Sequence, residues 1–212
     1  GAGNKGPAGA AHGKRPLLKE SEETTHFSIV DKHGNAVSNT YTLNSAFGSG
    51  VTVKDAGFLL NNEMDDFSIK PGFPNIYGLV GAEANAIKPG KRMLSSMSPT
   101  IVLKDGRLFM VLGTPGGSTI PTSVLQVLMN VIDFDMTLED AVSEPRLHEQ
   151  YLPDRIFIEE GALDAAEIEA LERIGHDVVT REPIGDVQAI QVRAGVVTGV
   201  SDPRRSGRPA GY

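Results

Sequence analysis

Apolar and polar positions begin to alternate at Thr25. Phe27, Ile29 and Asp31 interleave with His26, Ser28 and Val30, a turn follows at His33-Gly34-Asn35, and alternation resumes over residues 36–43. A period of two on both sides of a Gly-Asn turn predicts a β-hairpin. A second hairpin is predicted from residues 100–103, the turn Lys104-Asp105-Gly106-Arg107 and the apolar run 108–112, which is continuous enough for a strand covered on both faces. Helical spacing takes over in residues 121–132, with Val124, Leu125, Leu128 and Met129 expected on one face and Pro121 suited to the first turn. Thr137-Leu138-Glu139-Asp140 resembles a capping box with Asp in its last place, opening a short helix that Pro145 ends. Residues 164–174, closed by Gly175, read as an amphipathic helix, and strand-like stretches at 178–180, 189–192 and 196–200 finish the chain. Strands, then helices, then strands predict a layered α+β domain.

Composition adds a boundary. Residues 1–23 are rich in Gly, Ala, Lys and Glu, with Leu17 and Leu18 as their one bulky apolar pair. Such a stretch cannot bury enough surface to offset its ordering entropy, so it is expected to be a flexible linker ahead of a single domain at 24–212. The charge of -7 comes from 27 acidic against 20 scattered basic residues, which leaves no footprint for nucleic acid. No apolar run approaches the roughly 20 residues that span a bilayer. With no cysteine, thiolate nucleophiles, disulfides and zinc-thiolate sites are excluded.

Four polar clusters are candidates for chemistry, and none has metal-ligand spacing. Thr24-Thr25-His26 opens the domain directly after the acidic end of the linker. A threonine at a chain start has a base at hand, because an α-amine with a pKa of about 7.7–8.0 can take its hydroxyl proton. The same residues also suit an ordinary strand start. Asn61-Asn62-Glu63-Met64-Asp65-Asp66-Phe67 could hold an ammonium group by charge-assisted bonds, or be a solvated acidic turn. Ser95-Ser96-Met97-Ser98-Pro99 offers hydroxyls and amides to a carboxylate, or forms a loop of small residues. Gly113-Thr114-Pro115-Gly116-Gly117-Ser118, between strand and helix, suits an anion or developing oxyanion, or a tight turn. No histidine is assigned a catalytic role.

Together these clusters, in this order, resemble the γ-glutamyltransferases, along with Thr42-Leu43-Asn44 and the ending Ser201-Asp202-Pro203-Arg204 and Gly211-Tyr212. The resemblance runs from Thr24 to the C-terminus. It implies the αββα sandwich of the N-terminal nucleophile hydrolases, an α+β fold of which this chain would supply the small-subunit part. Residues 1–23 would be the end of the large subunit. It also implies a precursor that cuts its own Glu23–Thr24 bond, Thr24 then accepting a γ-glutamyl group as an ester from glutathione or a similar donor. Thr42 would orient the nucleophile, and Gly116 and Gly117 would supply the oxyanion hole. Asn44, Glu63 and Asp66 would hold the α-amino end of the substrate, and Ser95 and Ser96 its α-carboxylate. Tyr77, within the Gly/Pro-rich stretch 70–82, would gate the pocket near Asn44.

The resemblance implies further that the group passes to water, an amino acid or a dipeptide, that no cofactor is needed, and that the partner is the large subunit of the same precursor. A periplasmic or extracellular location is implied too. Two rivals remain open at this point. One is a glutaryl or β-lactam acylase of the same fold, against which Asp66 argues, because a glutaryl group has no α-amine. The other is a non-catalytic amino-acid or peptide binder that never matures.

Overall fold

The structure, a computed structural model, describes residues 24–211. The linker expected at 1–23, and with it the acyl side of the Glu23–Thr24 bond, lies outside the described residues, as does Tyr212.

Strands β1 (Thr25–Val30) and β2 (Ala36–Tyr41) form the first hairpin, in register from Thr25↔Tyr41 to Val30↔Ala36. Asp31 closes its turn by accepting the N–H groups of His33 and Asn35. Residues 42–99 are mostly loop, with short 3-10 turns at Glu63–Asp66 and Glu83–Asn85. Strands β3 (Thr100–Lys104) and β4 (Arg107–Gly113) follow, then helices α1 (Ile120–Ile132) and α2 (Leu138–Ser143). A small sheet of β5 (Leu147–His148), β6 (Ile156–Ile158) and β7 (Val178–Thr180) carries α3 (Ala165–Arg173) between its last two strands. Strands β8 (Gln188–Arg193) and β9 (Val196–Ser201) complete a four-stranded sheet in the order β3-β4-β8-β9.

The four-stranded sheet has two unlike faces. Met110, Leu112 and Ala189 point to one side and pack with Val124, Val127 and Val131 of α1 and Leu138, Ala141 and Val142 of α2. The hairpin lies on the other side, and it is turned polar side in. His26, Ser28, Ser38 and Thr40 face the sheet, where Ser28 Oγ donates to Gln188 O at 3.0 Å and Ser38 Oγ to Leu112 O at 2.9 Å. Phe27, Ile29, Val37 and Tyr41 face outward, 40% to 59% exposed. Hairpin, sheet and helices thus make three consecutive layers.

The expected α1 face needs correction. Ile120, Ser123, Val124, Val127 and Val131 are its buried residues, whereas Leu125 and Met129 stand on the exposed side. The helix is apolar on two stripes, and spacing alone could not choose between them. At α2, Thr137 Oγ1 accepts from Asp140 N at 3.1 Å and donates to the Asp140 carboxylate at 2.6 Å, so the reciprocal half of a capping box is replaced by a side-chain bond. Asp164 and Glu167 make a full capping box at α3.

Past β9 the chain is pinned by buried charges. Arg146 pairs with Asp202 at 2.7 Å, and Arg204 pairs with Asp202 at 3.0 Å and also with Glu159. Arg146 donates to Val142 O and Ile184 O as well. Charges this far from water persist because each is paired and hydrogen-bonded.

Candidate active site

β1 carries Thr24 to the rim of the hairpin–sheet layer. The residue is 6% exposed, and its Oγ1 donates to Thr42 Oγ1 at 3.0 Å. Thr25↔Tyr41 is the last register pair, so Thr24 and Thr42 stand opposite one another one step beyond the ladder. Thr42 Oγ1 accepts a second bond, from Asn44 N at 2.8 Å, which fixes the orientation of both hydroxyls.

Asn44 is buried at φ 73, in the left-handed region that asparagine tolerates better than most residues. The Tyr77 hydroxyl reaches both its backbone O (2.9 Å) and its Oδ1 (2.8 Å), one hydrogen shared between two acceptors. The Tyr77 ring also lies against Gly117, where an added Cβ would stand 3.3 Å from Cε1. Tyr77 therefore bridges the Asn44 loop and the glycine loop. Asn75 shapes its segment by accepting the N–H groups of Tyr77 and Leu79, and Asp65 Oδ2 accepts Ile76 N at 3.2 Å.

The glycine loop is held by its carbonyls. Thr114 Oγ1 donates to Pro115 O at 2.7 Å and itself accepts from Asp186 N at 2.7 Å. Gly116 O accepts from Thr119 N and Thr119 Oγ1, both at 3.0 Å. In a trans peptide the N–H points away from the carbonyl, so anchoring these two oxygens directs the N–H groups of Gly116 and Gly117 to the opposite side. The φ values of 141 and 57 that this requires suit glycine. Two adjacent amides displayed in this way can stabilise a developing oxyanion.

Burial pushes the Glu63 carboxyl up, and burial followed by the charges of Glu63 and Asp65 raises Asp66 to about 6. Carboxyl groups crowded like this favour a cation between them. Asn85 ties the acidic turn to the serine segment, donating to Asp66 O at 2.7 Å and accepting from Leu94 N at 3.1 Å. Ser95 Oγ accepts from Met97 N, and Ser98 Oγ donates to Ser96 O. The structure thus links Thr24, Thr42, Asn44, Tyr77 and Gly117 by direct contacts and couples Glu63 to Asp66 electrostatically, while Ser95 and Ser96 bond within their own segment, which Asn85 ties to Asp66 at the neighbouring Leu94. Sequence reasoning missed Asn75, Asn85 and Thr119, and named Thr114 only as a member of the glycine cluster. Asparagine in a Gly/Pro loop and threonine beside glycine signal only a turn, not the remote carbonyl or amide each one binds. Among the described residues no three His, Cys, Asp or Glu side chains gather as metal ligands.

A polar-faced hairpin bearing a terminal threonine pair, laid on an antiparallel sheet backed by helices, defines the class of N-terminal nucleophile hydrolase folds. The gamma-glutamyltranspeptidase family model matches residues 5–212, and the chain belongs to that family. It is 57% identical over 196 residues to a glutathione hydrolase proenzyme of Pseudomonas aeruginosa, covering 91% of this chain and 35% of the relative. The corresponding Escherichia coli proenzyme is 53% identical over 186 residues, covering 87% of this chain and 32% of the relative. Among solved structures, a gamma-glutamyltranspeptidase from Pseudomonas nitroreducens complexed with L-DON superposes with a TM-score of 0.82 at 56% identity, covering 89% of this chain and 99% of that one. The chain spans about a third of the length of the curated relatives it matches.

Proposed function

We propose that this chain is the catalytic part of a γ-glutamyl-transferring and glutathione-hydrolysing enzyme that matures by cutting its own Glu23–Thr24 bond. The observation that carries the reading is the buried Thr24 hydroxyl, hydrogen-bonded to Thr42 at 3.0 Å at the mouth of β1. In maturation the Thr24 oxygen attacks the Glu23 carbonyl and the amide nitrogen leaves as the Thr24 amine. Water then hydrolyses the resulting ester, freeing the Glu23 carboxylate and the Thr24 hydroxyl.

In turnover the new α-amine takes the hydroxyl proton as Thr24 attacks the γ-carbonyl of the donor. Thr42 keeps the hydroxyl in line, and the N–H groups of Gly116 and Gly117 receive the oxyanion. Collapse expels the donor's amine, protonated by the Thr24 ammonium, and leaves a γ-glutamyl ester. Water, an amino acid or a dipeptide attacks the ester and restores Thr24. Asn44, Glu63 and Asp66 hold the donor's α-ammonium, Ser95 and Ser96 its α-carboxylate, and Tyr77 closes over the pocket. The two raised carboxyls favour this reading over a glutaryl acylase, whose substrate brings no ammonium to offset them.

The partner is the large subunit of the same precursor. Phe27, Ile29, Val37 and Tyr41 form the outer face of the hairpin, and Leu125, Met129 and Ile132 a second apolar stripe on α1. Exposed apolar surfaces of this kind suit burial against a partner chain. A periplasmic or extracellular site of action rests on the family resemblance alone. The test is intact-mass analysis with N-terminal sequencing of the full-length precursor. A fragment beginning at Thr24, absent in Thr24→Ala, is expected; an uncut chain under all conditions overturns the proposal.

A further inference from the structure

We infer that His26 is a positioning residue: its ring, stacked on Gly113, is the spacer that sets the height of Thr24 over the glycine loop. The inference rests on the function proposed above and adds a residue to it. Three observations support it. Thr24, His26 and Ser28 project from the same face of β1 toward the sheet, so whatever lies beneath His26 fixes the level of Thr24. Beneath it is Gly113, the last residue of β4 and three positions before Gly116. A Cβ built on Gly113 would stand 2.3 Å from His26 Cε1, 2.5 Å from Nδ1 and 2.8 Å from Nε2. Gly113 does not have a positive φ, so glycine is needed there for space and not for backbone conformation.

The ring cannot swing away cheaply, because both nitrogens are bound. Ser28 Oγ spends its hydrogen on Gln188 O, so it must accept from His26 Nε2–H at 3.1 Å. Nδ1 is then the bare nitrogen and accepts the Thr40 hydroxyl at 2.6 Å. The relay runs from Thr40 through His26 and Ser28 to the backbone of β8, and Gln188 is itself the sheet partner of Gly113. A neutral imidazole thus locks the nucleophile strand to the strand that leads into the oxyanion amides. No proton is passed to Thr24. The ring acts on the reaction by distance alone, and misplacement by about 1 Å is enough to cost roughly 100-fold in rate.

The test compares the full-length precursor with Gly113→Ala, His26→Asn and the double variant, using γ-glutamyl-p-nitroanilide turnover on the matured enzymes and the rate of self-cleavage. Gly113→Ala should lower kcat by about 100-fold with KM within about threefold, and slow self-cleavage in step. His26→Asn alone, which leaves a gap, should lower kcat at least about tenfold. Putting the two together refills the space, and kcat should recover at least about tenfold over Gly113→Ala. If Gly113→Ala does not fold, the His26→Asn result decides: kcat unchanged within about twofold overturns the inference. Losses in the double variant that simply multiply, or a rise in KM with kcat intact, overturn it too. An inactive, uncut wild-type precursor defeats the functional reading and this inference together; an active wild type with an equally active Gly113→Ala defeats only the inference.

Discussion

The two faces of the four-stranded sheet are built for different tasks. Toward α1 and α2 the contact is dry and apolar, with Met110, Leu112, Val127 and Val142 fully buried. Toward the hairpin it is a layer of hydroxyls and one imidazole, each aimed at a particular backbone oxygen or side chain. Burial of apolar area is non-directional and tolerates small slips, whereas a hydrogen bond of about 2.9 Å fails when its partner moves. The helix side therefore supplies stability. The hairpin side supplies register, which is what a nucleophile at the strand mouth needs.

Thr24→Ala should reduce turnover by about 10⁴-fold or more and abolish self-cleavage while leaving the melting temperature of the precursor nearly unchanged, as read by thermal denaturation and mass analysis. Leu112→Ala, on the dry side, should cost about 2–5 kcal/mol in urea unfolding and leave KM of the folded enzyme unchanged. Parallel losses of stability and KM would show that the two faces are not separable.

Asp66→Asn removes a charge-assisted bond and should raise the donor KM by about 10–100-fold with a smaller change in kcat. Its pH dependence has a defined sign. With the folded Asp66 at about 6 and the ordinary value at 3.8, the carboxyl ionises later in the folded state. Donor KM should rise as pH falls through about 6, and Asp66→Asn should make the unliganded enzyme more stable than wild type at pH 8. His26 runs the other way: burial lowers it from 6.5 to about 4, so its contribution is complete above pH 6.5 and is lost as pH falls toward 4. The urea midpoint should drop across that window, and less so in His26→Asn. Ser38→Ala, which breaks one bond to Leu112 O, should cost only about 1 kcal/mol.

Much of the fold could be read before the structure, because its signals are local. The turns at His33-Gly34-Asn35 and Lys104-Asp105-Gly106-Arg107 sit where both hairpins reverse. Strands β5 and β6, of two and three residues, escaped the sequence reading. The buried side of α1 and the inverted hairpin escaped for another reason: which stripe is covered depends on neighbours distant in sequence. In the site, Thr24, Gly116 and Gly117 stood out by type and place. Asn75, Asn85 and Thr119 did not, because each one acts by anchoring a backbone group. His26 was seen and given no catalytic role, and its bonds to Thr40 and Ser28 join residues whose pairing a single stretch of sequence does not reveal.

Thr24 is tested as the nucleophile most directly by the mass of the matured fragment after brief exposure to a γ-glutamyl donor and acid quenching. The fragment beginning at Thr24 should gain one γ-glutamyl residue, mapped by peptide sequencing to Thr24 as an ester that hydroxylamine removes. A fragment that turns the donor over without ever carrying that mass, or carries it on another side chain, would contradict Thr24 as the nucleophile.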